Sequence, residues 1–265
     1  MLEEKLESLK EILRSLESVV IAFSGGVDST FLSKVAFDVL GDNALAVTAR
    51  SETYPRAEFE EALGLAEEIG IKHEAIVSEE LDIPEFSDNP VNRCYYCKKE
   101  LLTKLKEMAE ERGLKHVAEG SNFDDLDDYR PGMQAVAELG VRSPLKEAKL
   151  TKADIRELSK RFGLPTWNKP SFACLSSRFP YGNRITREKL TAVGEAEIFL
   201  RNLGIRQLRV RHHDRIARIE VAQEDMEILL QNREQIVEKL KELGYTYVTM
   251  DLQGYRTGSM NEVLS

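Results

Sequence analysis

Ser18-Val-Val-Ile-Ala-Phe23 runs directly into Ser24-Gly25-Gly26-Val27-Asp28-Ser29-Thr30, and this succession sets the reading of the whole chain. The first stretch is short, apolar and rich in β-branched side chains between turn formers, so it reads as a buried strand. The second is a glycine turn that opens a helix expected from Asp28 to Leu40. Strands and helices then alternate. A strand is expected near Ala44–Ala49, a helix from about Pro55 to Ile69 and a strand at Lys72–Val77. A helix from about Tyr96 to Arg112 and a strand at Lys115–Glu119 complete the series. Strands separated by helices imply an α/β fold, a doubly wound parallel sheet with right-handed crossovers. In such a sheet ligands bind at the carboxyl ends of the strands, which is where the glycine turn lies.

Upstream, Leu2, Leu6, Leu9, Leu13 and Leu16 mark one face of an amphipathic helix. Downstream, Gly120 to Asn183 is less regular. One helix fits there, Lys152–Phe162, with Thr151 as N-cap and Gly163 as stop. From Ile185 the rhythm changes to a helix (Arg187–Asn202), two strands (Arg206–His212 and Ile216–Val221), a long helix (Glu224–Leu243) and a strand (Tyr245–Met250). These predict a smaller C-terminal α+β domain. The expected domains are residues 1–183 and 184–265.

The 265 residues carry a formal net charge of −9, which disfavours a general polyanion binder, since a phosphate backbone rewards excess lysine and arginine. The first stretch is charged and no apolar run reaches bilayer length, so a soluble cytoplasmic protein is expected. Three cysteines, an odd number, suit a reduced compartment better than a disulfide framework.

The glycine turn has the chemistry of a phosphate cradle. Gly25 and Gly26 permit a tight turn and close approach of backbone N–H groups, and the helix N-terminus adds unpaired amides. Ser24, Ser29 and Thr30 offer hydroxyls, and Asp28 can position Mg²⁺. Gly120, at the end of a later strand, could allow close approach of a nucleotide. The turn is neither a Walker loop nor GxGxxG. It resembles the SGGxDS signature of the PP-loop ATP pyrophosphatases (the adenine nucleotide α-hydrolase-like fold). That resemblance implies attack on the α-phosphate of ATP, release of pyrophosphate, and displacement of AMP from an adenylate by a nitrogen or sulfur nucleophile. An ordinary glycine turn capping a helix is the plainer alternative.

Cys94 and Cys97 form a CxxC pair, and Cys174 stands in Ser171-Phe-Ala-Cys-Leu-Ser-Ser-Arg-Phe-Pro-Tyr-Gly182. Three thiolates suit a [4Fe–4S] cluster with one open iron. A zinc site would need a fourth ligand from His73, His116, His212 or His213, none at zinc-finger spacing. A persulfide or disulfide relay stays open, as does Cys174 as a small core residue. Arg209 and Arg211 share one face of a strand and would make a phosphate clamp; a solvated face paired with Glu220, Glu224 and Asp225 is the alternative. Asp124, Asp125, Asp127 and Asp128 could assist Mg²⁺, although an acidic run is usually a solvated loop.

Taken together, Arg93-Cys-Tyr-Tyr-Cys-Lys-Lys-Glu-Leu101, Asp127-Asp-Tyr-Arg-Pro-Gly132, Glu138-Leu-Gly-Val-Arg-Ser-Pro-Leu145, Leu164-Pro-Thr-Trp167, Cys174-Leu-Ser-Ser-Arg178 and Arg209-Val-Arg-His-His213 resemble the LarE family. Its members are ATP-dependent sulfur transferases of nickel-pincer nucleotide biosynthesis, serving lactate racemase. They convert the carboxylates of pyridinium-3,5-biscarboxylic acid mononucleotide into thiocarboxylates. The resemblance implies Cys174 as the sulfur-site cysteine, Arg209 and Arg211 on the substrate phosphate, Ser177 and Arg178 beside a reacting carboxylate, and Glu197 near the substrate. Some members sacrifice the sulfur of the Cys174 position. Others carry two further cysteines, as Cys94 and Cys97 here, and resemble thiolases whose three cysteines hold a [4Fe–4S] cluster fed by sulfide or another sulfur donor. The family also implies a homo-oligomer, up to a hexamer.

Other classes fit less well. A tRNA thiolase would need an extended basic face or an RNA-binding appendage. A nitrogen-transferring synthetase of the NAD or GMP type would leave the cysteines without a role. A non-enzymatic ATP-binding module would leave both motifs idle.

Overall fold

The computed structural model describes residues 2–126, 131–170, 173–256 and 258–264. The chain folds as two compact units, residues 1–86 with 92–172, and residues 87–91 with 173–265.

The first unit holds α1 (Leu2–Leu16), β1 (Val19–Ala22), α2 (Val27–Leu40), β2 (Ala44–Arg50), α3 (Arg56–Ile69) and β3 (Lys72–Val77). After the short α4 (Pro84–Ser87), whose last residue belongs to the second unit, come α5 (Arg93–Arg112), β4 (His116–Ala118), α6 (Gly132–Glu138), α7 (Pro144–Glu147) and α8 (Lys152–Arg161). All four strands are parallel, in the order β3-β2-β1-β4, with Val19 opposite Ala44 on one side and His116 on the other. Alternate side chains of the central strand serve two cores, as the two-residue period of a strand requires. Val19 and Ile21 join α1, α2, α3 and α8 on one face. Val20 joins Leu45, Val47, Val117 and the α5 residues Leu102 and Leu105 on the other. The expected doubly wound α/β sheet is therefore present. Because β2 and β4 lie on opposite sides of β1, the chain reverses direction across the sheet between β1 and β4. A ligand crevice is expected at that reversal.

The second unit contains α9 (Arg187–Asn202), β5 (Leu208–His213), β6 (Ile216–Val221), α10 (Met226–Gln231), α11 (Arg233–Glu242) and β7 (Tyr247–Met250). β5 pairs antiparallel with β6, and β6 pairs parallel with β7. Its core is separate and includes Ala196, Leu200, Val210, Ile219, Leu229, Ile236 and Leu240.

Three sequence expectations need adjustment. The long helix 224–243 is two helices, broken at Asn232, whose backbone N–H and Nδ2 both donate to the Ile228 carbonyl (3.1 and 2.8 Å). The break lies in the backbone angles of Asn232 itself (φ −102°, ψ 13°), since its own N–H still makes the i→i−4 bond. The helix expected from Tyr96 begins at Arg93, so Cys94 and Cys97 both lie inside it. Finally, the units part after residue 172, earlier than the junction read near Asn183. Gly182 and Ile185 donate backbone N–H bonds to Asn89 and Ser87 (2.9 and 2.8 Å), and Asn89 Nδ2 donates to the Pro180 carbonyl (2.7 Å). These bonds tie 87–91 into the second unit.

Thr151 is the expected N-cap. Its hydroxyl accepts the Asp154 N–H while Asp154 accepts the Thr151 N–H, a full capping box, and α8 stops at Gly163 with φ +70°. The short α6 and α7 span too few turns to show a period, so no amphipathic pattern announces them.

Candidate active-site residues

In the first unit the loop after β1 is braced from several sides. The Ser24 N–H donates to Ser29 Oγ at 3.2 Å, and Ser29 Oγ donates to the Gly26 carbonyl at 3.3 Å. Tyr54 donates to the Ser24 carbonyl (2.7 Å), and Lys169 donates to the Gly25 carbonyl (3.3 Å) while pairing with Glu58 and Glu61 at 2.9 Å each. With those carbonyls engaged, an anion would meet the first-turn amides of α2, which precede its first internal bond, Thr30 N–H to Gly26 at 2.9 Å. Ser24 is exposed, whereas Ser29 and Thr30 are buried.

Both flanking glycines are sterically required. Gly25 has φ +62°, and a Cβ there would sit 3.1 Å from Ala62 Cβ on α3. Gly25→Ala is therefore expected to cost about 1–3 kcal/mol from left-handed strain and overpacking. A urea midpoint left at the wild-type value would contradict this. Gly120, expected to let a nucleotide approach, admits the loop itself: a Cβ would lie 3.2 Å from the Ser29 nitrogen and 3.4 Å from Asp28 Cβ. Both lips of the β1/β4 crevice thus depend on missing side chains.

Asp28 sits in the first turn of α2. Burial pushes its carboxyl above the usual aspartate value, and the Lys152 ammonium on Oδ2 works against that shift. Asp28 Oδ1 is buried with no hydrogen-bond partner among the described residues. A buried carboxylate oxygen without a donor fits a hard divalent cation. Asp124 accepts the Lys152 N–H (2.8 Å) and Asp125 accepts the Asn122 N–H (2.9 Å), so these two acids order the loop after β4. Asp127 and Asp128 lie outside the described residues, as do the first four residues of the Asp127–Gly132 motif.

Sequence reasoning missed Lys152, Lys169, Tyr54 and Glu119. Glu119 is buried at the end of β4, where it pairs with Lys98 at 2.7 Å and accepts from Ser143 Oγ at 2.6 Å. Burial alone would raise its carboxyl, but Lys98 and the serine hydroxyls hold it below the usual value. Lys98 follows Cys97 directly. Cys94 is exposed and Cys97 half-buried; three residues apart on α5, they share one helix face.

The second unit places Cys174 immediately before a single 3₁₀ turn, Leu175–Arg178. The Cys174 carbonyl accepts from Ser177 N–H (3.1 Å), Ser177 Oγ (2.9 Å) and Arg178 Nη1 (3.1 Å). Arg178 has no exposed surface. Its Nε and Nη2 form a two-pronged pair with Glu197 of α9 at 2.8 and 2.9 Å, and Glu197 also accepts the Val210 N–H of β5 at 3.0 Å. Burial would raise the Glu197 carboxyl, yet the Arg178 charge and its donors keep it lowered. Glu197 is thus no surface glutamate, and Arg178 is spent on holding the cysteine turn, α9 and β5 together.

Arg209 and Arg211 do share a face, but it is buried, not solvated. Arg211 pairs with Glu220 (2.7 Å), donates to Ser259 Oγ (2.9 Å) and reaches the Ser177 carbonyl (3.0 Å). Arg209 lies over the Tyr255 ring, 5.2 Å from its centroid. Burial and the nearby Arg178 charge lower its guanidinium to about 10. Cations crowded in this way are relieved by an incoming phosphate or carboxylate. His213, on the same face, has a buried Nε2 without a hydrogen-bond partner among the described residues.

Among the described residues of either unit, no group of three His, Cys, Asp or Glu side chains stands assembled to hold a metal. No described helix is long and apolar enough to cross a membrane.

A family description of NAD synthase matches residues 1–91, which contain the braced loop. An uncharacterized protein of Synechocystis sp. is 48% identical over 267 residues, covering 100% of both chains. The pyridinium-3,5-bisthiocarboxylic acid mononucleotide synthase of Lactiplantibacillus plantarum is 41% identical over 265 residues, covering 100% of this chain and 96% of that one. The chain belongs to this synthase family. An uncharacterized protein of Methanocaldococcus jannaschii, 31% identical over 253 residues, covers 94% of this chain and 95% of its own length. The synthase match spans both units, so it takes in the loop after β1, the α5 cysteines and the Cys174 turn, whereas the NAD synthase match stops before residue 92.

Proposed function

We propose that the chain is an ATP-dependent sulfur transferase acting on pyridinium-3,5-biscarboxylic acid mononucleotide. The observation that carries this reading is the end-to-end similarity to a bisthiocarboxylic acid mononucleotide synthase. A carboxylate oxygen of the substrate attacks the α-phosphorus of ATP, and pyrophosphate leaves. A sulfur nucleophile then adds to the acyl carbon, and AMP departs with the carboxylate oxygen, leaving a thiocarboxylate. A second round treats the other carboxylate.

The α2 amides, Ser24 and Ser29 receive the phosphates, Asp28 holds Mg²⁺, and Gly25 and Gly120 keep the crevice open. Arg209 and Arg211 take the mononucleotide phosphate. Arg178 and Glu197 position the Cys174 turn, and Ser177 fixes its carbonyl.

Cys94, Cys97 and Cys174 would hold a [4Fe–4S] cluster; three soft thiolates suit iron–sulfur ligation. When bound, such a cluster supplies an open iron at which sulfide can be carried.

The test is iron and acid-labile sulfide per chain in protein purified without oxygen. About four of each, lost when any one cysteine becomes serine, is the expected result. Neither, even after reconstitution, would move the sulfur source to Cys174 itself, sacrificed or bearing a persulfide.

A further inference from the structure

Lys152 is rooted firmly and ends loosely. It is the first residue of α8, its own N–H is held by Asp124 at 2.8 Å, and the Thr151–Asp154 capping box fixes the helix start. Lys5 anchors Asp154 in turn at 2.5 Å. From that root the side chain, 40% exposed, carries Nζ onto Asp28 Oδ2. It can swing away without disturbing the core. Asp28 cannot, since its Oδ1 is buried and its Cβ lies beneath Gly120.

One carboxylate therefore has two claimants. While the ammonium is in place, a divalent ion arriving alone meets a neutralised aspartate and a neighbouring positive charge, and is repelled. ATP changes the balance, because its phosphates bring several negative charges to the α2 amides and offer the ammonium another seat.

We propose that Lys152 is a resident counter-cation: it keeps free divalent metal off Asp28 until ATP arrives, then moves to the polyphosphate as the metal takes the carboxylate. This rests on reading the loop as an ATP site. It makes metal loading depend on nucleotide.

The test is Mn²⁺ binding to the full chain, followed by electron paramagnetic resonance, with and without α,β-methylene-ATP. Wild type should bind Mn²⁺ weakly alone and tightly with nucleotide. Lys152→Gln should bind Mn²⁺ about tenfold more tightly without nucleotide, and adding Asp28→Asn should remove that gain. Nucleotide affinity with Mn²⁺ present should fall about tenfold in Lys152→Gln and persist in Lys152→Arg. Equal nucleotide-free Mn²⁺ affinity in wild type and Lys152→Gln would overturn the proposal, as would a gain that survives Asp28→Asn. Failure of wild type to bind the analogue would overturn the ATP reading and the hand-over with it. The metal-exclusion arm is read without nucleotide, so the two failures are distinguishable.

Discussion

Asp28→Ala should lower substrate-dependent AMP release on the order of 10²- to 10³-fold, the scale seen when one preorganised charge is removed from a developing anion. The argument starts from burial. A carboxylate is kept out of water only where cations compensate it, and here one oxygen has Lys152 while the other has no donor among the described residues. Removing the side chain takes away the metal's seat and frees Lys152 to sit permanently on the phosphates. Ground-state binding of ATP should therefore suffer less than turnover, so kcat falls more than KM for ATP rises. Asp28→Asn keeps the volume and should lose nearly as much, which separates charge from packing. Undiminished AMP release in either variant would sink the assignment of this loop to the phosphates.

Glu197→Ala should destabilise the second unit by about 3–5 kcal/mol, the usual consequence of leaving a buried charge without its partner. Arg178 is wholly buried and two of its nitrogens rest on Glu197. Arg201, whose Nη2 lies 3.8 Å from Glu197, is 30% exposed and can turn to water; Arg178 has no such route. The Val210 N–H would lose its acceptor as well, at a further cost of about 1–3 kcal/mol if no water replaces it. Urea unfolding measures the sum. Replacing both members, Arg178→Met with Glu197→Met, should recover much of the loss, because a buried pair is often matched by apolar residues of similar volume. If Glu197→Ala shifted the midpoint by less than about 1 kcal/mol, the pair would not be what holds the cysteine turn.

The sequence revealed what is local. Strand, glycine turn and helix at Val19–Leu40 are neighbours along the chain, so β-branching, glycine and capping announced them together. The Thr151 cap and the shared face of Arg209 and Arg211 were legible for the same reason: a capping box spans a single turn, and strand alternation has a period of two. What stayed hidden depends on contacts between distant segments. Lys152 meets Asp28 across 124 residues, and Arg178 meets Glu197 across 19. No periodicity encodes such pairings. The alternative of a solvated arginine face rested on charge suggesting a surface, yet Glu220, opposite Arg209 in the β5–β6 register and paired with Arg211, lets that face be buried. The break at Asn232 was missed because its apolar spacing continues through it, and the departure of a single residue from helical backbone angles (φ −102°, ψ 13°) leaves no mark on that spacing.

Residues 87–91 belong to the second unit although they are flanked on both sides by the first. The polypeptide therefore crosses between the units three times, after residues 86, 91 and 172. During synthesis the ribosome delivers Ser87 and Asn89 well before Gly182 and Ile185, the residues whose amides they receive. The second unit then cannot close as an independent tail: its early piece is made before the parallel sheet is completed by β4. A protease that cut the chain once near residue 172 would release no free fragment, because 87–91 would still bind the downstream part to the upstream one. The two bodies are thus laced during synthesis, and what resembles an appended domain along the chain is a unit the nascent protein must return to and finish.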